Sequence, residues 1–449
     1  MKEQITICGA GLVGSLLAVY LIERGFSVRV FEKRKDPRKN EADAGRSINL
    51  AISHRGIHAL KDAQTGLEKE ALKLAVPMYG RAIHDLHGHV SFQAYGEASQ
   101  HINSIGRGAL NKLLITTAEN LGVHFLFEHT CTDYHAAGEQ WLFSDITGNT
   151  VATQSKEIVI GADGAFSIVR SFLSKQQQPQ PQIETLEYGY KELEIASAHT
   201  ETITNNQALH IWPRERFMLI ALPNEDGSYT ATLFLPLKGE ISFEALQSDQ
   251  DIQLFFKKYF PDTENLFPDL TEQFYRHPTS KLFTIHSSNW FNAHTLLIGD
   301  AAHALVPFYG QGMNAGFEDC RILAEIIDGK SKTNWSEIFA EFYNQRKENA
   351  DAISDLALQN FIEMRDHVAD ASFLLRKKIE KHLHQELEDA FIPQYTMVSF
   401  TDISYKEAME TGLLHQKILD EIMAIPDIEA AWPTEELKNK VITVTKKYI

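Results

Sequence analysis

The 449-residue chain is 43% apolar, enough to bury a substantial core as two or three domains or as one large α/β domain with insertions. Its formal net charge of −17 excludes general binding to nucleic acid or to an anionic membrane surface, both of which repel it at long range. Three scattered cysteines, Cys8, Cys131 and Cys320, make neither a disulfide framework nor a CxxC zinc site.

The amino end, MKEQITICGAG, already reads as a strand and turn with no signal peptide. In chain order, QITIC (4–8) predicts a buried strand, GAGLVG (9–14) a turn, SLLAVYLIERG (15–25) an amphipathic helix closed by Gly25, and SVRVFEKR (27–34) a second strand. Gly9, Gly11 and Gly14 have GxGxxG spacing. The first allows a tight turn, the second lets a pyrophosphate approach the backbone, and the third lets helix pack on strand. Glu32 ends the second strand at about the distance at which a carboxylate accepts from ribose hydroxyls and disfavours a 2′-phosphate, an argument that Lys33 and Arg34 soften. FAD and NAD both remain open at this point.

GRSINLAISHRGIHAL (45–60) is polar and basic at first and then helical. GRAIHDLHGHVSFQAY (80–95) alternates like two strands about a His-Gly turn, and RGALNKLLITTAENLG (107–122) predicts an amphipathic helix opened by Arg107. EIVIGADGAFSIVR (157–170) reads as strand, turn and helix start, with Ser167 and Arg170 after an Asp-Gly pair. KQQQPQPQ (175–182) is a linker or exposed loop. LHIWPRERFMLIALPNEDGSYTATLFLP (209–236) contains a hairpin turning at Asp226-Gly227, so an antiparallel sheet is expected in the middle of the chain. The apolar run TLLI (295–298) leads into GDAAHALVPFYGQGMNAGFEDC (299–320), which has no Asp, Glu, Lys or Arg between Asp300 and Glu318. Residues 335–390 are mostly helical in pattern. No apolar run reaches the ~18 residues a membrane span needs.

A second and third cofactor segment far downstream favour an extended FAD over NAD alone. The GxGxxG turn, the Asp-Gly segment and the Gly-Asp segment, in this order, resemble the class A flavoprotein aromatic hydroxylases. The runs GRSINLAISHRG (45–56), PMYGRAIH (77–84), AYGEASQ (94–100), LHIWPR (209–214), VPFYGQGMNAGFEDC (306–320), NFIEMRDHV (360–368) and FIPQYTMVSF (391–400) look like the kynurenine 3-monooxygenase family within them. The likeness covers nearly the whole chain to about residue 410.

The resemblance implies an α/β chain with a glutathione-reductase-type, Rossmann-like FAD-binding fold, an inserted antiparallel β-sheet substrate domain and a C-terminal helical region. Its expected parts are FAD-binding segments at 1–75, 101–180 and 286–330, substrate-sheet segments at 76–100 and 181–285, and a helical region at 331–449. The implied reaction takes L-kynurenine, NADPH and O₂ to 3-hydroxy-L-kynurenine through a flavin C4a-hydroperoxide, in tryptophan degradation or de novo NAD synthesis by way of quinolinate. No side chain is a strong catalytic acid or base, so positioning and water exclusion carry the protein's contribution. Arg81, Tyr95, Asn360 and Tyr395 match the family's substrate-head contacts, with Arg81 fit for bidentate binding of a carboxylate.

For FAD, the resemblance and the motifs together mark Gly9, Gly11, Val13, Gly14, Glu32, Lys33, Arg34, Ala51, Arg107, Asp300, Met313 and Asn314, the last two through backbone more than side chain. Pro307, Phe308, Tyr309 and Gln311 are expected to form an active-site loop, and the lack of charge there keeps water and stray protons from a reactive oxygen species. His303 is expected to be structural, beside the ribityl chain. His84, His87 and His89 lack an HExxH or compact carboxylate partner, so no metal is expected. The helix FLLRKKIEKHLHQELEDAF (373–391) reads as a solvated face. Eukaryotic family members end in a hydrophobic membrane anchor, whereas this chain ends WPTEELKNKVITVTKKYI, which points to a cytoplasmic, bacterial-type enzyme, monomeric or homodimeric. The alternatives are a hydroxylase of another amino-aromatic acid such as anthranilate, or a non-oxygenating FAD dehydrogenase or binding protein.

Overall fold

A computed structural model of the chain describes residues 2–39, 49–96, 99–176, 179–330, 334–367 and 370–449. Residues 45–48, 97–98, 177–178 and 368 of the runs quoted above lie outside this set.

The amino-terminal βαβ pattern builds the centre of a five-stranded parallel sheet. Its order is Thr295–Leu297, Ile158–Gly161, Gln4–Cys8, Ser27–Glu32 and His124–Phe127. Strands buried on both faces need apolar side chains at consecutive positions, which is why QITIC and IVIG read as continuous runs. The helix Leu12–Glu23 is not amphipathic as its sequence suggests. Leu16, Leu17, Ala18, Val19 and Leu21 are all fully buried, because the helix packs on the sheet while the helices Arg107–Asn120 and Gly312–Asp328 cover its other sides. Each such leucine contributes about 1.5–3 kcal/mol of burial.

A seven-stranded sheet stands beside this layer, in the order Ser280–His286, Gln182–Ile195, Tyr229–Pro236, Phe217–Pro223, Leu209–Arg214, Gly80–His84 and Val90–Ala94. The hairpin about Asp226-Gly227 forms as expected: Gly227 adopts φ +81°, and the Asp226 carboxylate accepts from the Ser228 N–H at 3.0 Å. Early strands Gly80–His84 and Val90–Ala94 join this late sheet because Gly80–His84 pairs in parallel with Leu209–Arg214. Residues 76–78 do not belong to it. The strand Ala75–Met78 pairs instead with Ile102–Gly106, which also pairs with Asn49–Ile52, in a three-stranded sheet that sequence patterning missed. A second small sheet, His129–His135, Gln140–Asp145 and Thr150–Ala152, was likewise unforeseen.

The long helix Trp335–Ile362 runs into a π-helical turn, Glu363–His367, and then the helices Ala371–Leu387, Gln394–Phe400, Tyr405–Met423 and Glu435–Thr445 complete the carboxyl-terminal part. One apolar core joins its Ile353, Leu356, Phe361 and Met397 to Ile211, Met218 and Phe234 of the large sheet and to Phe308 and Tyr309. Among the described residues, no helix is long and apolar enough to cross a membrane.

Two buried histidines make the fold acid-sensitive. Burial pushes both His210 and His415 down to about 4. A histidine lowered in the folded state stabilises the protein fully above its unfolded value of about 6.5, and that contribution is lost as pH falls towards 4, by at most about 1.4 kcal/mol per pH unit per group. The melting temperature is therefore expected to fall between pH 6.5 and 4, and His415→Leu, which stacks on Phe391 at 4.0 Å in its native form, should flatten that profile in a thermal scan series.

Candidate active site

The GxGxxG turn closes on itself by backbone contact. A Cβ on Gly9 would lie 2.5 Å from the Ala162 carbonyl oxygen, and one on Gly14 would lie 2.0 Å from the Gly9 oxygen. At Gly11 the added Cβ would meet nothing within 4 Å, so the amino end of the Leu12–Glu23 helix faces open space of the kind a pyrophosphate fills. Val13, part-buried, presses its side chain between Gly299 and Gly316 and so fixes the turn against the Gly-Asp segment.

Glu32 accepts from the Ala10 N–H at 2.9 Å through one carboxylate oxygen and from the Arg34 N–H at 2.9 Å through the other. It therefore sits at the mouth of the turn, as a ribose-binding carboxylate must. Lys33, Arg34 and Arg107 are exposed, Arg107 at the first position of its helix. Asn111, one turn further on, donates to the Ala10 carbonyl at 3.2 Å, and its Oδ1 is buried without a hydrogen-bond partner among the described residues. No motif flagged Asn111.

The Asp-Gly and Gly-Asp segments meet through Arg170. Its guanidinium donates to the Ala301 carbonyl at 2.8 Å and to the Ala165 carbonyl at 2.6 Å. Asp163 accepts from the Ile168 N–H at 2.7 Å, and burial pushes its carboxyl up. Asp300 begins the short helix Asp300–His303 and is exposed, with Gly299 before it at φ +60°.

Directly behind this turn lies a chain of buried charges that the sequence reading did not identify. The Asp319 carboxylate accepts from the Gly299 N–H at 3.0 Å, contacts His303 Nε2 at 2.6 Å and accepts from Arg346 Nε at 2.6 Å. Arg346 also donates to Glu318 at 2.7 Å, and Glu318 pairs in turn with Arg55. Burial works against the charge on Asp319, but His303 and Arg346 overcome it and hold the carboxyl at about 2. The same balance, with Arg346 and Arg55 as partners, holds Glu318 below the usual carboxylate range.

The loop 307–314 is anchored by side chains at two of the positions read as facing ligand. Asn314 is fully buried. Its amide donates to the Ala51 carbonyl at 2.9 Å and the Gly310 carbonyl at 2.8 Å, and its oxygen accepts from the Ser53 N–H at 2.9 Å. Its side chain thus staples the strand Asn49–Ile52 to the loop, a structural role additional to the backbone contact expected of it. Gln311, expected to face the substrate, is 2% exposed and instead donates to Ser53 Oγ at 3.3 Å while accepting from Tyr405 Oη at 2.9 Å. Met313 is part-buried and packs on the main core. Gly310, at φ +67°, lets the chain pass Ala51 at 3.1 Å from where its own Cβ would be. Pro307 is exposed, Phe308 stacks on Phe361 at 4.2 Å, and Tyr309 stacks on Tyr395 at 5.5 Å.

On the large-sheet side of this loop, Arg81, Tyr95 and Tyr395 come together. The Arg81 guanidinium lies 5.7 Å from the Tyr95 ring and 5.1 Å from the Tyr395 ring, and the two rings stack 5.4 Å apart. Arg81 Nε and the Tyr95 hydroxyl are both buried without a hydrogen-bond partner among the described residues. Leaving a buried charged donor unmet is costly. Burial also raises the Tyr95 and Tyr395 phenols, which stay protonated as donors at neutral pH. Asn360 Nδ2 donates to the Phe308 carbonyl at 2.7 Å, and Glu363, from the π-turn, stands 3.9 Å from Arg81. Lys377 pairs with Glu380 at 2.9 Å on a helix read as solvated, yet Ile379 and Leu383 of that helix are fully buried.

A family profile described as "FAD binding domain" matches residues 2–356. Kynurenine 3-monooxygenase of Myxococcus xanthus is 43% identical over 456 residues, spanning 100% of this chain and 97% of that one. That of Christiangramia forsetii is 43% identical with 99% of each chain covered, and that of Sus scrofa 42% identical with 93% and 88% covered. The chain belongs to the kynurenine 3-monooxygenase family. The fold is also that of 2-methyl-3-hydroxypyridine-5-carboxylic acid oxygenase (TM-score 0.65, 18% identity, covering 82% of this chain and 93% of that one) and of PqsL from P. aeruginosa (TM-score 0.63, 17% identity, covering 81% and 99%). As a member of the kynurenine 3-monooxygenase family, the protein is a flavoprotein monooxygenase, and the open cradle over Gly11 with Glu32 at its mouth fits FAD.

Breaking one buried pair leaves the other charge unmatched, which costs about 3–5 kcal/mol. Arg346→Met is accordingly expected to lower the denaturation midpoint sharply, whereas Asp300→Ala, at an exposed position, should leave the midpoint nearly unchanged while the purified protein loses its 450 nm-region flavin absorbance. Chemical denaturation beside absorbance spectra distinguishes the two.

Proposed function

We propose that the chain hydroxylates L-kynurenine to 3-hydroxy-L-kynurenine, consuming NADPH and O₂, with FAD held across the GxGxxG turn, the Asp-Gly and Gly-Asp segments and the loop 307–314. Family membership carries the reaction class. The observation that carries the substrate reading is the buried Arg81 Nε and Tyr95 hydroxyl left without partners beside that loop.

Bound FAD supplies the activation of O₂ that an aromatic ring cannot achieve alone. The residues of this chain bind, orient and shield. Arg81 and the Tyr95 hydroxyl receive the amino acid carboxylate by charge-assisted hydrogen bonds, and Tyr395 closes the other side of the guanidinium. Glu363, near Arg81, and the Asn360 carboxamide oxygen suit the α-ammonium, so the zwitterionic head meets both charges in one place. With its head fixed there, the aromatic end extends along the Phe308 and Tyr309 side of the loop, where the absence of charge keeps out water and stray proton donors. Gly9, Gly11, Val13 and Gly14 position the pyrophosphate, Glu32 the ribose, and Asp300 the ribityl chain. Ala51, Met313 and Asn314 form the wall beside the ring system, with Lys33, Arg34 and Arg107 at the adenosine end. The three described cysteines are free and buried, in keeping with a reducing cytoplasm, and a monomer or homodimer fits a site built from one chain.

Incubation with NADPH, O₂ and L-kynurenine is expected to give a product one oxygen atom heavier by mass spectrometry. NADPH oxidation yielding only hydrogen peroxide would overturn the reading. Arg81→Met should raise KM for kynurenine about 10- to 100-fold, as loss of a charge-assisted hydrogen bond implies, with the flavin still bound. Steady-state kinetics beside the flavin spectrum checks both.

A further inference from the structure

On the face of the FAD-binding layer that meets the carboxyl-terminal helices, His54 and His58 sit one turn apart on the helix His54–Asp62. Both reach Asp402, which lies beyond the helix Gln394–Phe400. His54 Nε2 is 3.0 Å from one Asp402 oxygen and His58 Nδ1 is 3.0 Å from the other. On its far side, His58 Nε2 is 3.2 Å from Asp62 Oδ2. The three ligand atoms of His54, His58 and Asp402 all lie within 4.8 Å of one another, and all three side chains are at least 31% exposed and so open to an ion from solvent.

The donor count is what singles this group out. Carboxylates at neutral pH only accept, and a neutral imidazole has one N–H. His58 faces carboxylate oxygens with both nitrogens, so a neutral His58 that donates to Asp62 presents a bare Nδ1 lone pair to Asp402. Two acceptors at 3.0 Å are reconciled by a positive charge between or upon them. A divalent ion meets that need with the bonds it prefers. Nitrogen and oxygen donors bind zinc at about 2.0–2.2 Å, which places neighbouring ligand atoms about 3.3 Å apart on a tetrahedral ion, so the exposed side chains, whose ligand atoms now lie within 4.8 Å of one another, must draw in around it. Asp62 then holds the far imidazole nitrogen, the arrangement by which a second carboxylate orients a metal-bound histidine. Two imidazoles favour zinc-like ions over magnesium or calcium.

We propose that His54, His58 and Asp402 form a divalent transition-metal site of the zinc class, with Asp62 orienting His58, that clamps the carboxyl-terminal helices onto the FAD-binding layer. The site lies on a seam the fold already closes by other means. Arg55, next to His54, donates to the Ile403 carbonyl, next to Asp402, and lies 4.1 Å from the Tyr405 ring centroid. Tyr395, which packs over Arg81, is on the helix that leads to this turn. A metal there restrains the segment that closes the substrate pocket. It is distinct from His84, His87 and His89, which do not converge: His84 is buried against Asp262 and His210, and His89 pairs with Asp85 on an exposed turn.

The test uses the FAD-loaded full chain, dialysed against chelator and titrated with Zn²⁺ by calorimetry. One equivalent is expected to bind, with a rise in melting temperature. His54→Gln, His58→Gln and Asp402→Asn should each weaken that binding at least tenfold with the flavin spectrum unchanged, whereas His89→Gln leaves it as it was. Absence of saturable Zn²⁺ binding to the native chain, or an affinity indifferent to His58→Gln, an exposed change that the fold tolerates, would overturn the proposal.

Discussion

Asp319 is the point from which the site is held. It is fully buried, and its two oxygens are shared among the Gly299 N–H, His303 and Arg346, so one carboxylate fixes the Gly-Asp turn, the short helix after it and the long helix Trp335–Ile362. Glu318 extends the chain of charges through Arg346 to Arg55 and so to the helix His54–Asp62. Removing these charges from water is expensive, and only mutual pairing offsets it. What the arrangement secures is geometry: four segments distant in sequence can satisfy these charges in one relative placement.

That constraint explains the uneven distribution of charge along residues 300–319. The stretch up to Phe317 holds no Asp, Glu, Lys or Arg apart from Asp300 at its entry, and the two carboxylates that follow are buried in the protein. The loop carries no such charge itself, and the charge that stiffens it lies behind. Asn314 and Gln311 do the finer work between these layers, joining loop to strand and loop to the carboxyl-terminal helices with neutral hydrogen bonds. The pocket beyond is the converse case. There the charge of Arg81 is presented forward between two tyrosine rings, with part of its hydrogen-bonding capacity unused.

The parts of the site legible in sequence are those whose chemistry is local. GxGxxG between strand and helix states its own geometry, because glycine spacing, backbone approach and helix amino end lie within six residues. Glu32 follows from the length of one helix and one strand. Arg81 and Tyr95 follow from a hairpin in which Arg81 pairs with Gln93, two positions before Tyr95 and so on the same face as it. Where the inference depended on which side of an element faces what, it went astray. Gln311 reads as facing the substrate but is turned inward. The helix Leu12–Glu23 reads as one-faced but is covered on all sides, and residues 76–78 pair with a sheet formed by strands on either side of them in sequence.

By itself, then, the sequence determined the dinucleotide turn and the order of its three cofactor segments, since each depends on residues near one another in the chain. Only the tertiary structure decided that Asp319 and Arg346 share one buried charge system, that Arg170 ties the Asp-Gly to the Gly-Asp segment, and that Glu363 stands by Arg81. The reason is physical. Burial and pairing of charges are properties of where distant segments meet, and an isolated Glu-Asp pair such as that at 318–319 reads the same on a solvated surface as in a sealed core.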